Sequence, residues 1–282
     1  MELVVVSGKG GTGKTTIAAA LSELASEVVR VDCDVDASNF HMFYRGRDIK
    51  KDNFYGGKKA YIDQEKCIEC GACERVCRFG AIDHFKIDDF SCEGCGTCLL
   101  VCPKDAIELE DDKAAEAFIT QLDDSIISRA ELEIGSDGSG KLITLLRNNA
   151  EKFVKDGQIQ IIDGSPGIGC PVISSITGTD GVLIVTEPTR SGLKDLERII
   201  ELCDHFGLLS MVCINKYDIN EEMGKEIEEF IGQKQIELVG KIPYDDIVMK
   251  SINELKPVIY YEGSTAGKAI EDMWQNIKKI MF

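Results

Sequence analysis

Nowhere does the chain approach the ~18 consecutive apolar residues that a membrane-spanning helix needs. The N-terminus, Met1-Glu2-Leu3-Val4-Val5-Val6, has no basic segment ahead of its apolar run, and Gly8 cuts that run short, so it lacks the form of a secretory signal. Basic side chains are scarce as well. Lys and Arg number 32 against 49 Asp and Glu, for a formal net charge of −17. A surface of that sign repels nucleic acid and anionic lipid, so neither is expected as a general partner. The three histidines (His41, His84, His205) stand apart from one another and are assigned to surface or packing roles. With no targeting signal, a cytoplasmic setting is expected, in which thiols stay reduced.

What the chain does have is cysteine. Twelve are present among 282 residues of otherwise ordinary composition, 44% hydrophobic and 29% charged. A chain of this length buries a core without disulfide staples, so reduced and clustered cysteines point to metal. Eight fall between Cys67 and Cys102, in two copies of one pattern. Cys67-x2-Cys70-x2-Cys73-x3-Cys77 is followed by Gly80-Ala81-Ile82, and Cys92-x2-Cys95-x2-Cys98-x3-Cys102 by Asp105-Ala106-Ile107. This spacing is the two-cluster ferredoxin pattern, in which three cysteines of a run and the fourth of the other run hold one 4Fe-4S cube. It assigns Cys67, Cys70, Cys73 and Cys102 to one cluster, and Cys92, Cys95, Cys98 and Cys77 to the second. The second run has the usual proline, Pro103, and the first has Arg78 in its place. Zinc is the alternative, but zinc sites pair their cysteines across a longer gap. The composition shift marks an insert at 57–112, between flanking segments 1–56 and 113–282.

Outside the insert, apolar runs alternate with helical patterns. Strands are expected at Leu3–Ser7, Val28–Val31, Ile159–Ile162, Val182–Val185, Leu209–Ile214 and Glu237–Ile242. Helices are expected over 15–25, 141–154, 192–206 and from 265 to the C-terminus. Continuous Val/Ile runs separated by helices predict a doubly wound, mainly parallel α/β sheet covered on both faces. The last helix places Ile270, Met273, Trp274, Ile277 and Met281 at helical spacing, as expected of a helix packed on the sheet.

Between the first strand and helix, Gly8-Lys9-Gly10-Gly11-Thr12-Gly13-Lys14-Thr15 satisfies the P-loop pattern. Its glycines let backbone N–H groups wrap phosphate oxygens at a helix N-terminus. Lys14 is expected on the β- and γ-phosphates, the Thr15 hydroxyl on Mg²⁺, and Thr16 on the α-phosphate. Two acidic segments follow strands: Asp32-Cys33-Asp34-Val35-Asp36, and Asp163-Gly164-Ser165-Pro166-Gly167. Carboxylates at strand C-termini are where an α/β sheet gathers its ligand groups.

The second lysine of the loop, Lys9, together with these segments, resembles the deviant Walker A ATPases of the MinD/ParA/Mrp/nitrogenase-iron-protein superfamily, here with an inserted two-cluster ferredoxin domain. The resemblance implies ATP and Mg²⁺ as ligands and a dimer that sandwiches the nucleotide, with itself or with a related ATPase. Lys9 would reach the partner's nucleotide, and Asp34 would orient the attacking water. Asp163 would hold Mg²⁺ through water, the Gly167 N–H would sense the γ-phosphate, and Asn215 would bond the adenine. Cys170, seven residues after Asp163, lies near where the nitrogenase iron protein has a cluster ligand. Residues 135–141 lack the second cysteine such a site needs, which leaves Cys170 open between a packing role and a redox role. Three functions follow: ATP-gated electron transfer to a redox partner with a basic face; ATP-dependent assembly or delivery of clusters; and MinD-like positioning. The absence of a C-terminal C-x-x-C weighs against the second, and the acidity against the third.

Overall fold

The computed structural model describes residues 1–25, 27–123 and 125–282. The chain opens with β1 (Glu2–Ser7), α1 (Lys14–Leu24) and β2 (Val28–Asp32), followed by β3 (Arg47–Ile62). The cysteine-rich stretch supplies α2 (Ala72–Val76), β4 (Ile82–Asp83), β5 (Lys86–Ile87) and α3 (Thr97–Leu100). Next come β6 (Ile107–Gln121), β7 (Ile126–Leu132), α4 (Gly140–Glu151), β8 (Ile159–Pro166) and α5 (Cys170–Ile176). The chain ends with β9 (Gly181–Thr186), α6 (Arg190–Phe206), β10 (Ser210–Asn215), α7 (Glu221–Gln233), β11 (Glu237–Ile242), α8 (Asp246–Asn253) and α9 (Thr265–Met281).

Two compact units result. One contains 1–51, 117–131 and 138–282; the other contains 52–116 and 132–137. The insert expected at 57–112 falls inside the second unit, which extends further in both directions and adds 132–137.

The large sheet runs β11-β10-β9-β1-β8-β2-β7-β6-β3. Pairing from β11 across to β7 is parallel throughout. The central strands carry apolar runs, as a sheet covered on both faces requires. Val4, Val5, Val6, Ile161, Ile162 and Val182 to Val185 are all buried. β1 sits between β8 and β9, so the loop after β1 opens where neighbouring strands also end.

The helix expected over 141–154 stops at Glu151, and β3, β6 and β7 lie where no strand was expected. β3 is charged and mostly exposed, so it carries no alternating apolar pattern to announce it. The last helix packs on β11. Ile270, Met273, Trp274 and Ile277 join the core, and the Asn276 Nδ2 donates to the Val239 carbonyl at 3.0 Å. Ile277→Ala should therefore cost about 2–5 kcal/mol. Urea unfolding checks this as a fall in midpoint at unchanged slope. Among the described residues, no helix is long and apolar enough to cross a membrane.

Candidate functional site: a phosphate loop and two thiol-lined cavities

Residues 8–15 form the turn from β1 into α1, and Lys14 is the first residue of the helix. No side chain caps α1. Its leading N–H groups therefore keep the unpaired character that makes a helix start an anion site. Gly10 and Gly11 lie exposed on the loop, and Thr12 and Lys14 are buried.

Lys14 is held between two carboxylates, with its Nζ 2.8 Å from Asp34 Oδ2 and 3.6 Å from Asp163 Oδ1. The Thr15 hydroxyl donates to Asp163 Oδ2 at 2.6 Å. The parallel pairing of β2 with β8 explains the meeting, since it sets Asp32 opposite Asp163. Two further bonds tie these strand ends together. The Ser165 hydroxyl donates to the Cys33 carbonyl at 2.6 Å, and the Cys33 N–H to the Asp163 carbonyl at 2.8 Å.

Burial pushes the Asp163 carboxyl well above the carboxylate range, against the opposing pull of Lys14, while Asp32 and Asp34 add to the rise. Asp34 is raised for the same first reason, with Lys14 again opposing. Burial would lower Lys14, but Asp163 and Asp34 outweigh it and the ammonium is held above its ordinary value. Thr12 Oγ1, Asp32 Oδ1 and Asp163 Oδ1 are buried without a hydrogen-bond partner among the described residues. Such orphaned groups are costly unless a ligand satisfies them. A hydrated cation and a phosphate chain supply the complementary donors and acceptors, so the residues fit Mg²⁺ and a nucleotide.

The remaining expected residues surround this centre. The Gly167 N–H donates to the Ser7 carbonyl at 2.8 Å. Asn215 ends β10 and donates from Nδ2 to the Thr12 carbonyl at 2.7 Å, so it braces the phosphate loop. Asp32 accepts from the Ser38 hydroxyl at 2.8 Å and the Phe40 N–H at 3.1 Å, pinning the segment after Asp34. Lys9 points to Glu187, 3.2 Å away, and Lys216 reaches the same carboxylate at 2.8 Å. Glu187 and Lys216 were not expected at the site. The available signal was their position directly after β9 and β10, where strand ends converge.

In the second unit the eight cysteines separate into two groups. Cys67, Cys70, Cys73 and Cys102 line one small cavity, with Ile62, Ile107 and Phe85. Cys77, Cys92, Cys95 and Cys98 line another, with Ala60, Ile82 and Phe79. The sequence repeat is also a structural one. Gly71 (φ 68°) and Gly96 (φ 74°) precede α2 and α3, in a left-handed conformation that glycine adopts freely. Each helix then carries the third cysteine of its run on a buried face. Backbone N–H groups approach sulfur from Ala106 to Cys102 at 3.3 Å and from Ala60 to Cys92 at 3.5 Å. Thr97 Oγ1 lies 3.5 Å from Cys95 Sγ.

Among the described residues, no three His, Cys, Asp or Glu side chains converge tightly enough to hold a single metal ion. A single zinc ion would need its thiolates gathered at about 2.3 Å from one point.

The other four cysteines divide as follows. Cys33, Cys203 and Cys213 are buried. Burial lifts the Cys203 thiol to about 11 and Cys213 higher still. Cys170 is exposed at the start of α5, so it is not a packing residue.

Residues 3–258 match the CobQ/CobB/MinD/ParA nucleotide binding domain, and the chain belongs to that family. An uncharacterised protein of Methanocaldococcus jannaschii is 35% identical over 288 residues, covering 100% of this chain and 98% of its own. An uncharacterised ATP-binding protein of the same organism is 28% identical over 98% of both chains. Among solved structures, the septum site-determining protein MinD of Pyrococcus horikoshii, complexed with Mg-ADP, superposes with a TM-score of 0.58 at 17% identity, covering 99% of this chain and 97% of that one. The fold is the α/β parallel-sheet P-loop ATPase fold that MinD also has.

Proposed function

We propose that this ATPase carries two 4Fe-4S clusters and uses ATP-dependent pairing of subunits to gate electron transfer to a partner protein. The observation that supports it most is the division of eight cysteines into two four-thiol cavities, each of the composition a cube requires. When bound, the clusters supply one-electron storage and transfer. The chain contributes eight thiolates, apolar walls and N–H groups near sulfur, which bias the potential.

In the ATPase unit, a bound triphosphate draws Lys14 from Asp34 onto the β- and γ-phosphates. The loop amides of Gly8, Gly10, Gly11, Thr12 and Gly13 wrap the phosphates, and Thr16 reaches the α-phosphate. Thr15 would ligate Mg²⁺ and Asp163 would hold it through water. Asp34, released from Lys14, orients the water that attacks the γ-phosphorus, and the Gly167 N–H turns to the γ-phosphate. Asn215 bonds the adenine. Lys9 extends to the nucleotide of a second subunit, of the same chain or a related one, and adds positive charge where the transition state spreads negative charge.

Gating is supported by how the chain re-enters the ATPase unit. Residues 132–137 belong to the cysteine unit, and Gly138 follows them directly. Its N–H donates to Asp36 Oδ1 at 2.9 Å, two residues from Asp34. A Cβ there would stand 2.5 Å from Val35 Cγ2, so only glycine permits the approach. Gly138→Val should leave iron content unchanged and abolish the effect of ATP on electron transfer. Stopped-flow reduction of an acceptor, with and without Mg·ATP, reads this out.

The overall test is anaerobic reconstitution followed by turnover with dithionite as reductant. Electron transfer at equal rate without nucleotide would reject the gating. Quantitative loss of iron to an apo-acceptor protein would favour cluster delivery instead.

A further inference from the structure

The ends of β1, β9 and β10 are adjacent in the sheet, so the residues that follow them gather in one place. Lys9 follows β1, Glu187 follows β9, and Lys216 follows β10. The Glu187 carboxylate takes a lysine on each oxygen: Lys216 Nζ lies 2.8 Å from Oε1 and Lys9 Nζ 3.2 Å from Oε2. The backbones of all three residues are pinned. The Ser7 hydroxyl donates to the Lys9 carbonyl at 2.8 Å, the Thr189 N–H to the Glu187 carbonyl at 2.7 Å, and the Lys216 N–H to Asn215 Oδ1 at 3.0 Å.

The two lysines are not equivalent in what their departure leaves behind. Glu187 is largely buried, with 16% of its side chain exposed, whereas Lys9 is 38% exposed. An unpaired carboxylate at that depth would be costly. Because Lys216 alone neutralises it, Lys9 leaves without stranding a buried charge. Burial works to raise the Glu187 carboxyl, and the bonds from Lys216 and Lys9 overcome it and hold the group below its ordinary value. It therefore stays ionised and able to bind a cation throughout the neutral range.

We propose that Glu187, kept neutralised by Lys216, is the positioning residue that parks Lys9 on its own subunit until a second copy of the chain presents a nucleotide to it. The proposal rests on the reading that Lys9 acts across a dimer. Glu187 then competes with the partner's phosphates for one ammonium. A triphosphate carries several negative charges and outcompetes a single carboxylate that already has another cation. The latch thus sets the threshold for pairing and makes it depend on the phosphates of the bound nucleotide.

The test uses the full chain with the isosteric substitution Glu187→Gln. Lysine acetylation followed by mass spectrometry reads the release of Lys9 directly, without nucleotide. Sedimentation equilibrium with Mg²⁺ and a non-hydrolysable ATP analogue reads the dimer constant. Relative to wild type, E187Q should acetylate faster at Lys9 and pair more tightly, each by about three- to fivefold, the worth of one half-exposed ion pair. Adding Lys9→Ala to E187Q should remove the gain in pairing. Equal Lys9 reactivity and equal dimer constants in E187Q and wild type overturn the latch. If the wild type nonetheless pairs in a Lys9-dependent way, the dimer reading survives that result. A wild type that stays monomeric with the analogue removes both.

Discussion

Asp34→Asn is expected to slow ATP hydrolysis by about 10²- to 10⁴-fold, the usual worth of a group that positions and accepts a proton from the attacking water. Mg·ATP binding should persist, and should tighten. The reason lies in the ion pair at 2.8 Å between Asp34 and Lys14. A triphosphate has to take Lys14 from that carboxylate, and the amide of asparagine holds an ammonium much less strongly. Catalysis and ground-state binding therefore move in opposite directions in one variant. Lys14→Ala behaves differently, because it removes the cation that both states use, and binding and turnover should fall together. Turnover traces and isothermal titration with the two variants separate the cases. An Asp34→Asn protein that hydrolyses ATP at the wild-type rate would remove Asp34 from the reaction.

Serine substitution at the cluster cysteines is expected to reveal the crossed ligand sets. After anaerobic reconstitution the wild-type chain should hold about eight irons, four per cube. Cys70→Ser with Cys102→Ser empties one cavity and should leave about four irons. Cys70→Ser with Cys77→Ser, both within the first run, disturbs both cavities and should leave few or none. If instead each run served its own cluster, the second pair would spare the cube of the second run. The geometry distinguishes these outcomes because Cys102 shares a cavity with Cys67, Cys70 and Cys73, while Cys77 shares one with Cys92, Cys95 and Cys98. Unchanged ATP binding in both double variants controls for folding of the ATPase unit.

Much of this site is legible in the chain because its chemistry is local. The phosphate loop needs consecutive glycines and a lysine at a helix start, and the cysteine runs need short spacings to bring thiols around one cavity. Asp34 and Asp163 stand out as carboxylates close behind the apolar runs at 28–31 and 159–162. The contacts that depend on sheet order are not legible in the same way. Glu187 reaches Lys9 because β9 lies beside β1, and Lys216 joins because β10 lies beside β9. No spacing along the chain encodes that meeting. Nor does the sequence announce the approach of Gly138 to Asp36, across 102 residues. β3 is not legible in the sequence for a different reason. Charged residues such as Arg47, Asp48, Lys50, Lys51 and Asp52 occupy an exposed strand, where no buried face imposes alternation.

On the proposed function, nucleotide bound in the ATPase unit changes the state of the clusters. The most direct test is an EPR-monitored redox titration of the reconstituted full chain, with and without Mg²⁺ and a non-hydrolysable ATP analogue. Nucleotide should shift a cluster midpoint potential in the wild type and leave Lys14→Ala unchanged. Identical potentials and identical spectra in the wild type with and without nucleotide would contradict it.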